Sequence, residues 1–486
     1  METEEIILDR KLIKNYIYNI LYQVVTVLAP LITIPYITRV LGDTMLGVNA
    51  FTASFVQWFV IFGIMGINNY GIKTIGTVRD DRKKLSETFF GIFLMQMTNL
   101  AVVLIIYLLY ISLGSRPYKL IYFIQGLTIV STMFDISWFY LGIEDFKINS
   151  IRNILIKIIG ILLIYLFVKS TDDLPVFVLI NGSVAVFGQL IMFLQLPRYI
   201  DRVKVSLKQA YQDHFKDNLV LFIPQIATSV YNILDQTLVG MLAIDWEEQS
   251  AYYQQAIRFV RMFLYFITSI GSVLMPRIAN VYSKGEDVSG YLNTTMRLAL
   301  YLAIPIMFGT ASVAPSLIPW FLDSSFSIVS TLIMVACPII LLVSLSNVYG
   351  IQYLLPTGRM KEYSTSVVIG ALVNLFSNIL LIPRMGALGA CIAIVLAESS
   401  VTLTQMIFIR NKLQFDISAR TVILYFADGI CMAGIVMLIG RWMGPRLLTN
   451  LVQVGCGALF YLGLLTVFKE EFHMNMIQKA VEILKK

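Results

Sequence analysis

The sequence predicts an all-α integral membrane protein, and three observations carry that expectation. Hydrophobic residues make up 57 % of the 486-residue chain and charged ones only 14 %, with a mean hydropathy of +0.76, which leaves too little polar surface for a soluble fold. Its apolar runs reach the roughly 20 residues that cross about 30 Å of hydrocarbon as a helix, whereas barrel strands are about 10 residues of alternating pattern. The short polar turns between the runs distribute their basic residues unequally, as the two faces of a plasma membrane require.

About 14 transmembrane helices follow, at about 20 residues for each crossing. They are expected near 15–38, 46–70, 87–111, 119–141, 151–168, 174–197, 217–240, 255–279, 296–318, 328–350, 363–383, 386–409, 420–440 and 448–468. An even count puts both termini on one side. With the N-terminus cytoplasmic, Arg39, Arg116, Lys119, Lys169, Arg384, Arg441 and Arg446 lie outside and Lys157, Arg258 and Arg261 within the membrane. Of the 37 Lys and Arg, those seven and three leave 27 inside, the positive-inside bias. That bias also accounts for the net charge of +7, so RDDRKK at 79–84 and the basic run at 197–209 read as loops on anionic headgroups, not as nucleic-acid sites. The opening METEEIILDR is acidic and shows no small-residue cleavage site, so no cleavable signal peptide is expected.

The longest charged interruption, 198–216, is the candidate linker. It divides an N-lobe at 1–197 from a C-lobe at 217–412, each of six helices, with two further helices and a cytoplasmic tail at 413–486. Thr52–Lys73 can be laid over Ala256–Arg277, so that Phe55, Val56, Phe59 and Phe62 fall on Phe259, Val260, Phe263 and Phe266. Two related lobes around a midplane site are a common transporter plan.

The segment Tyr252–Ala279 holds the most unusual chemistry. Steps of about 100° put Arg258, Arg261, Tyr265, Thr268 and Ser272 in one stripe of an otherwise apolar helix. A charge in hydrocarbon costs at least about 2.5–3.5 kcal/mol, so such residues face a partner, a cavity or the interface. Two guanidinium forks suit a phosphate or carboxylate ligand; snorkelling, or pairing with Asp235, is the structural alternative. Lys157 is the other intramembrane cation, open to the same two readings. Asp235, Asp135, Glu398 and Asp428 lie in or beside apolar runs and are candidates for coupling or gating, or for buried ion pairs.

An enzyme is not expected. The two histidines, His214 and His473, fall outside the apolar runs, so no intramembrane histidine serves a metal or acts as a base. There is no phosphate-binding loop for ATP hydrolysis. Cys337, Cys391, Cys431 and Cys456 read as small core residues, and no metal or other cofactor is expected.

Several stretches together resemble a known family. PYITRVLG at 35–42, the run with Gly66, Tyr70 and Gly71, DISWFYLGIEDF at 135–146 with Arg152 and Lys157, VLMPRIA at 273–279, and the Asn, Asn, Ile-Pro, Gly-Ala-x-Gly-Ala and Glu spacing of 374–398 are similar to the capsule and O-antigen repeat-unit flippases, often called Wzx. Those belong to the multidrug, oligosaccharidyl-lipid and polysaccharide flippase superfamily. The resemblance covers essentially the whole chain. It implies two six-helix lobes around a central cationic cavity, plus two C-terminal helices, in the bacterial plasma membrane with both termini cytoplasmic. The implied activity is transfer of an undecaprenyl-diphosphate-linked oligosaccharide from the inner to the outer leaflet by alternating access, for capsule, exopolysaccharide or O-antigen synthesis. It also implies membrane lipids, and the polymerase and chain-length regulator of the same pathway, as partners. Arg258, Arg261, Lys157 and Arg39 take the place of the cavity cations. Arg39 departs in lying at the outer end of its helix, where anchoring is its other role. The energy source stays open among H+, Na+ and the membrane potential.

Two relatives of the superfamily are alternatives. A drug antiporter is expected to carry an acid in the first segments, and 15–38 and 46–70 contain none. A lipid II flippase would use similar cations. A polymerase or glycosyltransferase would need a large polar loop, and none is expected to exceed about 20 residues.

Overall fold

The computed structural model describes residues 10–484 apart from 115, 116 and 414. All regular structure among these residues is helical. The chain forms two compact units, Met1–Thr237 and Leu238–Lys486.

The first unit begins with α1 (Arg10–Ile64), α2 (Ile67–Val78) and α3 (Arg82–Leu113), continues through α4 (Lys119–Gln125), α5 (Leu127–Met133), α6 (Ser137–Gly142), α7 (Phe146–Phe167) and α8 (Leu174–Phe193), and runs into α9 (Leu207–Leu242). The expected span 15–38 lies on α1, and that at 46–70 begins on α1 after a kink at Gly42 with φ 73° and ψ 178° and ends on α2. A side chain at that φ would be strained, which is why glycine ends PYITRVLG. Asp81 starts α3 by accepting from the backbone N–H groups of Lys83 and Lys84, both at 3.1 Å.

The expected span 119–141 is a broken one. The chain leaves helical geometry between α5 and α6, and Gln96 of α3 satisfies the carbonyls exposed there. Its Nε2 donates to Thr132 O at 2.8 Å, Met133 O at 3.2 Å and Asp135 O at 2.9 Å, while its Oε1 accepts from the Trp138 indole at 2.9 Å. Trp138, Phe89, Phe139 and Tyr140 form the aromatic centre of this unit's core. Helices in lipid gain little from burial alone, so close packing has to hold them together. Gly188 of α8 supplies it: an added Cβ would stand 1.9 Å from Ile156 Cδ1 on α7.

The boundary between the units falls within α9, at Thr237–Leu238, whereas the sequence places the division at 198–216. The first turns of α9 are tied to the N-terminal helices. His214 Nδ1 meets the Tyr70 hydroxyl at 2.9 Å, and the Tyr211 hydroxyl contacts Asn99 and, at 3.2 Å, Thr98.

The second unit comprises α10 (Trp246–Ser283), α11 (Ser289–Phe321), α12 (Ile328–Ala336), α13 (Pro338–Ser346), a π-helix at Asn347–Leu354, α14 (Met360–Met385), α15 (Ala387–Ile409), α16 (Ala419–Met443), α17 (Leu447–Val467) and α18 (Glu471–Leu484). The two helices beyond the C-lobe pack onto it. Trp320 of α11 donates to Asn450 Oδ1 at 2.6 Å, Ser316 to Gln453 Oε1 at 2.6 Å, and Gln453 to Val436 O at 2.8 Å.

Eleven stretches among the described residues are long and apolar enough to cross a membrane, so the protein is a multi-pass membrane protein. The first, Leu28–Val78, takes in the end of the expected span 15–38 and all of that at 46–70; those at 217–240 and 255–279 fall on α9 and α10, which include side chains outside the described set. The cysteine expectation is corrected in part. Cys337 and Cys391 are buried, but Cys431 and Cys456 are exposed on α16 and α17, where lipid-facing helix surface tolerates a small apolar group.

Candidate functional site

The arginine stripe lies on α10, in the second unit. Its neighbours Ala256, Ile257, Phe259 and Val260 are buried, which fixes the helix rotation, and Arg261 is half-buried. Arg258 is exposed on α10 between these buried neighbours. The two arginines stand three positions apart, so they project from one face. The side chains of Tyr265 and Ser272 lie outside the described residues, and Thr268 continues the stripe.

Further along this face, α10 packs against the π-helix. Thr268, Thr295, Ser344, Asn347 and Gln352 line a recess there together with apolar side chains, about 20 Å³ in volume and so room for roughly one water. Gln352 donates to Asn347 Oδ1 at 3.0 Å, and its own Oε1 is buried with no donor among the described residues. A π-helix widens the helical turn and is frequent at functional sites. The sequence reading missed this pair, because a 3.6-residue period places positions five apart about 140° from each other.

In the first unit, Lys157 is half-buried on α7 and Arg39 is exposed on α1, three residues before the kink. One turn before Arg39, the Tyr36 ring stacks on Tyr165 at 4.2 Å and its hydroxyl donates to Val168 O at 2.7 Å. Arg152 is a second cation on α7, only 8 % exposed, with its guanidinium on Gln189 Oε1 of α8. Sequence reasoning quoted Arg152 within a motif without assigning it to the site. It sits in the second turn of α7, where a charge reads as interfacial, and its partner is 37 positions away.

The four acids occupy different surroundings. Asp135 accepts from Ser137 N at 2.9 Å and so caps the break between α5 and α6. Asp235 is 2 % exposed on α9 in the first unit. Glu398 is half-buried on α15, within electrostatic reach of Tyr363. Asp428 on α16 is fully buried, and both its carboxylate oxygens lack a hydrogen-bond donor among the described residues. Outside the membrane, burial holds the His214 imidazole below its ordinary value, against the pull of Asp213 and Asp217. Among the described residues no group of three or more His, Cys, Asp or Glu side chains is placed to hold a metal.

With this geometry in hand, the chain can be compared with known proteins. Residues 12–282 match the profile of the family described as "Polysaccharide biosynthesis protein". A protein of Escherichia coli (strain K12) named "Putative O-antigen transporter" is 24 % identical over 407 residues, covering 82 % of this chain and 97 % of that one. "Lipid II flippase MurJ" of Bacillus subtilis (strain 168) is 23 % identical over 264 residues, 51 % of this chain and 48 % of that one. Among solved structures, "Lipid II flippase MurJ, inward closed conformation" gives a TM-score of 0.73 at 15 % identity, covering 94 % of this chain and 98 % of that one. An outward-facing multidrug resistance MATE family transporter of the MOP superfamily gives 0.54 at 14 % identity, covering 85 % and 98 %. The structural likenesses show the fold class, an all-helical architecture.

Proposed function

The chain belongs to the polysaccharide biosynthesis protein family, as its motifs lead one to expect, and from that premise we propose that it is a flippase for lipid-linked glycans. It is a transporter rather than an enzyme. Its cargo, on this reading, is an undecaprenyl-diphosphate-linked oligosaccharide that moves from the inner to the outer leaflet of a bacterial plasma membrane by alternating access. Capsule, exopolysaccharide or O-antigen assembly then consumes the product outside, through the polymerase and chain-length regulator of the same pathway. The relatives named O-antigen transporter support the glycan class.

The observation that carries the proposal is the pair of arginines three positions apart on an otherwise apolar helix, α10, with Arg258 exposed and Arg261 half-buried. A diphosphate crossing a membrane must exchange water for other donors, and a guanidinium offers a planar fork matched to phosphate oxygens. Lys157, Arg39 and the buried Arg152 are the cations that the first unit would bring to such a cargo.

The test is outward transfer of lipid-linked glycan in cells with matched protein levels. Arg258→Lys and Arg261→Lys keep the charge and lose the fork, whereas the Ala variants lose both. Activity is therefore expected to fall from wild type to Lys to Ala, with roughly tenfold or greater loss for Ala, since one charged hydrogen bond is worth about 1.5–3 kcal/mol. Snorkelling would leave the Lys variants nearly silent. Full activity in both Ala variants, singly and together, removes the anion site. The intermediate that accumulates when the gene is deleted identifies the glycan.

A further inference from the structure

The second unit contains a buried polar cluster that the arginine stripe does not use. Asp428 stands nine residues into α16, so about 13 Å along the helix from Ala419. It is fully buried, and no donor among the described residues reaches either carboxylate oxygen. One turn away on the same helix, Tyr425 is also buried, its hydroxyl directed toward Glu470 and not bonded to the Asp428 carboxylate. The carboxylate lies within electrostatic reach of the Tyr461 phenol on α17. Tyr301 of α11 faces both rings, its centroid 6.1 Å from Tyr425 and 6.2 Å from Tyr461. Tyr461 donates to Tyr301 O at 3.3 Å.

From Tyr301 the cluster continues to the end of the unit where α17 stops. The Tyr301 hydroxyl meets His473 Nδ1 at 2.9 Å, His473 Nε2 meets Thr466 Oγ1 at 2.9 Å, and the His473 backbone N–H donates to Glu470 Oε2 at 2.7 Å. The Tyr425 hydroxyl is within electrostatic reach of Glu470. Arg297 of α11 is a cation within electrostatic reach of the Tyr425 hydroxyl. It is engaged elsewhere, with its guanidinium 2.6 Å from Asp416 O, 3.6 Å from the Asp416 carboxylate and 3.8 Å from Glu471. On the other side, Met432, one turn beyond Asp428, lines an apolar cavity of about 330 Å³.

A carboxylate this deep, with neither cation nor donor, is strongly disfavoured as an anion, and the usual resolution is that it keeps its proton. Its neighbours are phenols and hydrocarbon, with no cluster of further carboxylates among the described residues, so the ligand that fits is a proton rather than a metal ion. We propose that Asp428 is a proton-binding site of the second unit, neutral at rest, and that it releases its proton when the Tyr425 and Tyr461 hydroxyls turn to donate to the carboxylate. The balance is simple: the Asp428 O–H bond breaks, the two phenols stabilise the anion, and the proton leaves toward Glu470 and His473. Resting on the flippase reading, a second claim follows, that a proton gradient acts on transport through this acid.

Infrared difference spectroscopy on the full-length protein in liposomes tests the site without any glycan. With carbon-13 in the aspartate side chains, the wild type is expected to show the carbonyl stretch of a buried protonated carboxyl at neutral pH. Asp428→Asn loses that band, and Tyr425→Phe retains it to higher pH than the wild type, because the anion has lost one of its two donors. Tyr425→Phe keeps the test valid if the Asn variant folds poorly. A spectrum without a protonated aspartate at neutral pH, or a band unchanged in a folded Asp428→Asn protein, overturns the proposal. The coupling is read separately, as glycan transfer with and without an imposed proton gradient. Asp428→Asn is expected to abolish the gradient's acceleration, and equal acceleration in wild type and variant overturns the coupling. Absence of transfer in the wild type would count against the flippase reading alone, because the infrared band does not depend on it.

Discussion

Replacing Gln96 by leucine is expected to loosen the first unit more than any other near-isosteric change in its core. Leucine matches glutamine closely in size, so the effect is one of hydrogen bonding rather than of cavity formation. Gln96 is fully buried, and its amide answers four groups at once: the Thr132, Met133 and Asp135 carbonyls and the Trp138 indole. An NH₂ has two hydrogens, so two of the three carbonyls are fully served and the third shares. In Gln96→Leu the indole N–H becomes an orphan at about 1–3 kcal/mol, and two carbonyls lose a net bond worth about 0.5–1.5 kcal/mol each. The expected loss is therefore about 2–6 kcal/mol. SDS-induced unfolding of the purified protein, followed by tryptophan emission, measures it. Trp138→Phe removes the donor itself, so the double variant should recover about 1–2 kcal/mol relative to the sum of the singles. A Gln96→Leu protein within about 0.5 kcal/mol of wild type, or strictly additive singles, would show that the break between α5 and α6 is held by something other than Gln96.

Three further outcomes are expected. Because His214 titrates below its ordinary value of about 6.5, the unfolded chain takes up a proton that the folded one refuses. Stability should therefore fall as pH drops through that value, by at most about 1.4 kcal/mol per pH unit, and His214→Gln should flatten the slope measured by thermal melting between pH 7.5 and 5. Asp235→Asn is expected to cost about 3–5 kcal/mol if the carboxylate balances a buried cation; an unchanged melting temperature in detergent rejects that role. A cysteine placed near Lys208 should resist an impermeant outside reagent in intact cells, whereas one near Glu247 should react, and equal labelling overturns the expected orientation.

Long-range partners mark the limit of what the sequence reveals. Apolar run length is a property of the chain itself, and it yields the helices and the fold class. The break at Phe134–Ile136 is invisible locally, because the groups that stabilise it come from Gln96, about 36–39 positions earlier. Arg152 escapes for the same reason, since what makes it a buried cation is Gln189 on the next helix.

The four membrane acids show how that limit bears on function. In sequence Asp135, Asp235, Glu398 and Asp428 are alike: each is a carboxylate in or beside an apolar run, and hydropathy assigns all of them the same cost. Only packing separates them. Asp135 has a backbone N–H to receive at 2.9 Å and is spent on capping, whereas Asp428 has none among the described residues and is ringed by phenols. A carboxylate that already holds a hydrogen bond gains little from a proton; one without any gains most of its desolvation energy back by taking one. Mutating all four to asparagine therefore separates two kinds of acid. Asp135→Asn should preserve the cap, because the amide oxygen still accepts from Ser137 N, and transport should survive it at near wild-type rate and with its gradient response intact. Asp428→Asn should also fold, because asparagine resembles the protonated acid, yet lose that response. The reverse pattern, gradient sensitivity lost at Asp135 and kept at Asp428, would mean that exposure to a cargo path rather than desolvation selects the coupling acid.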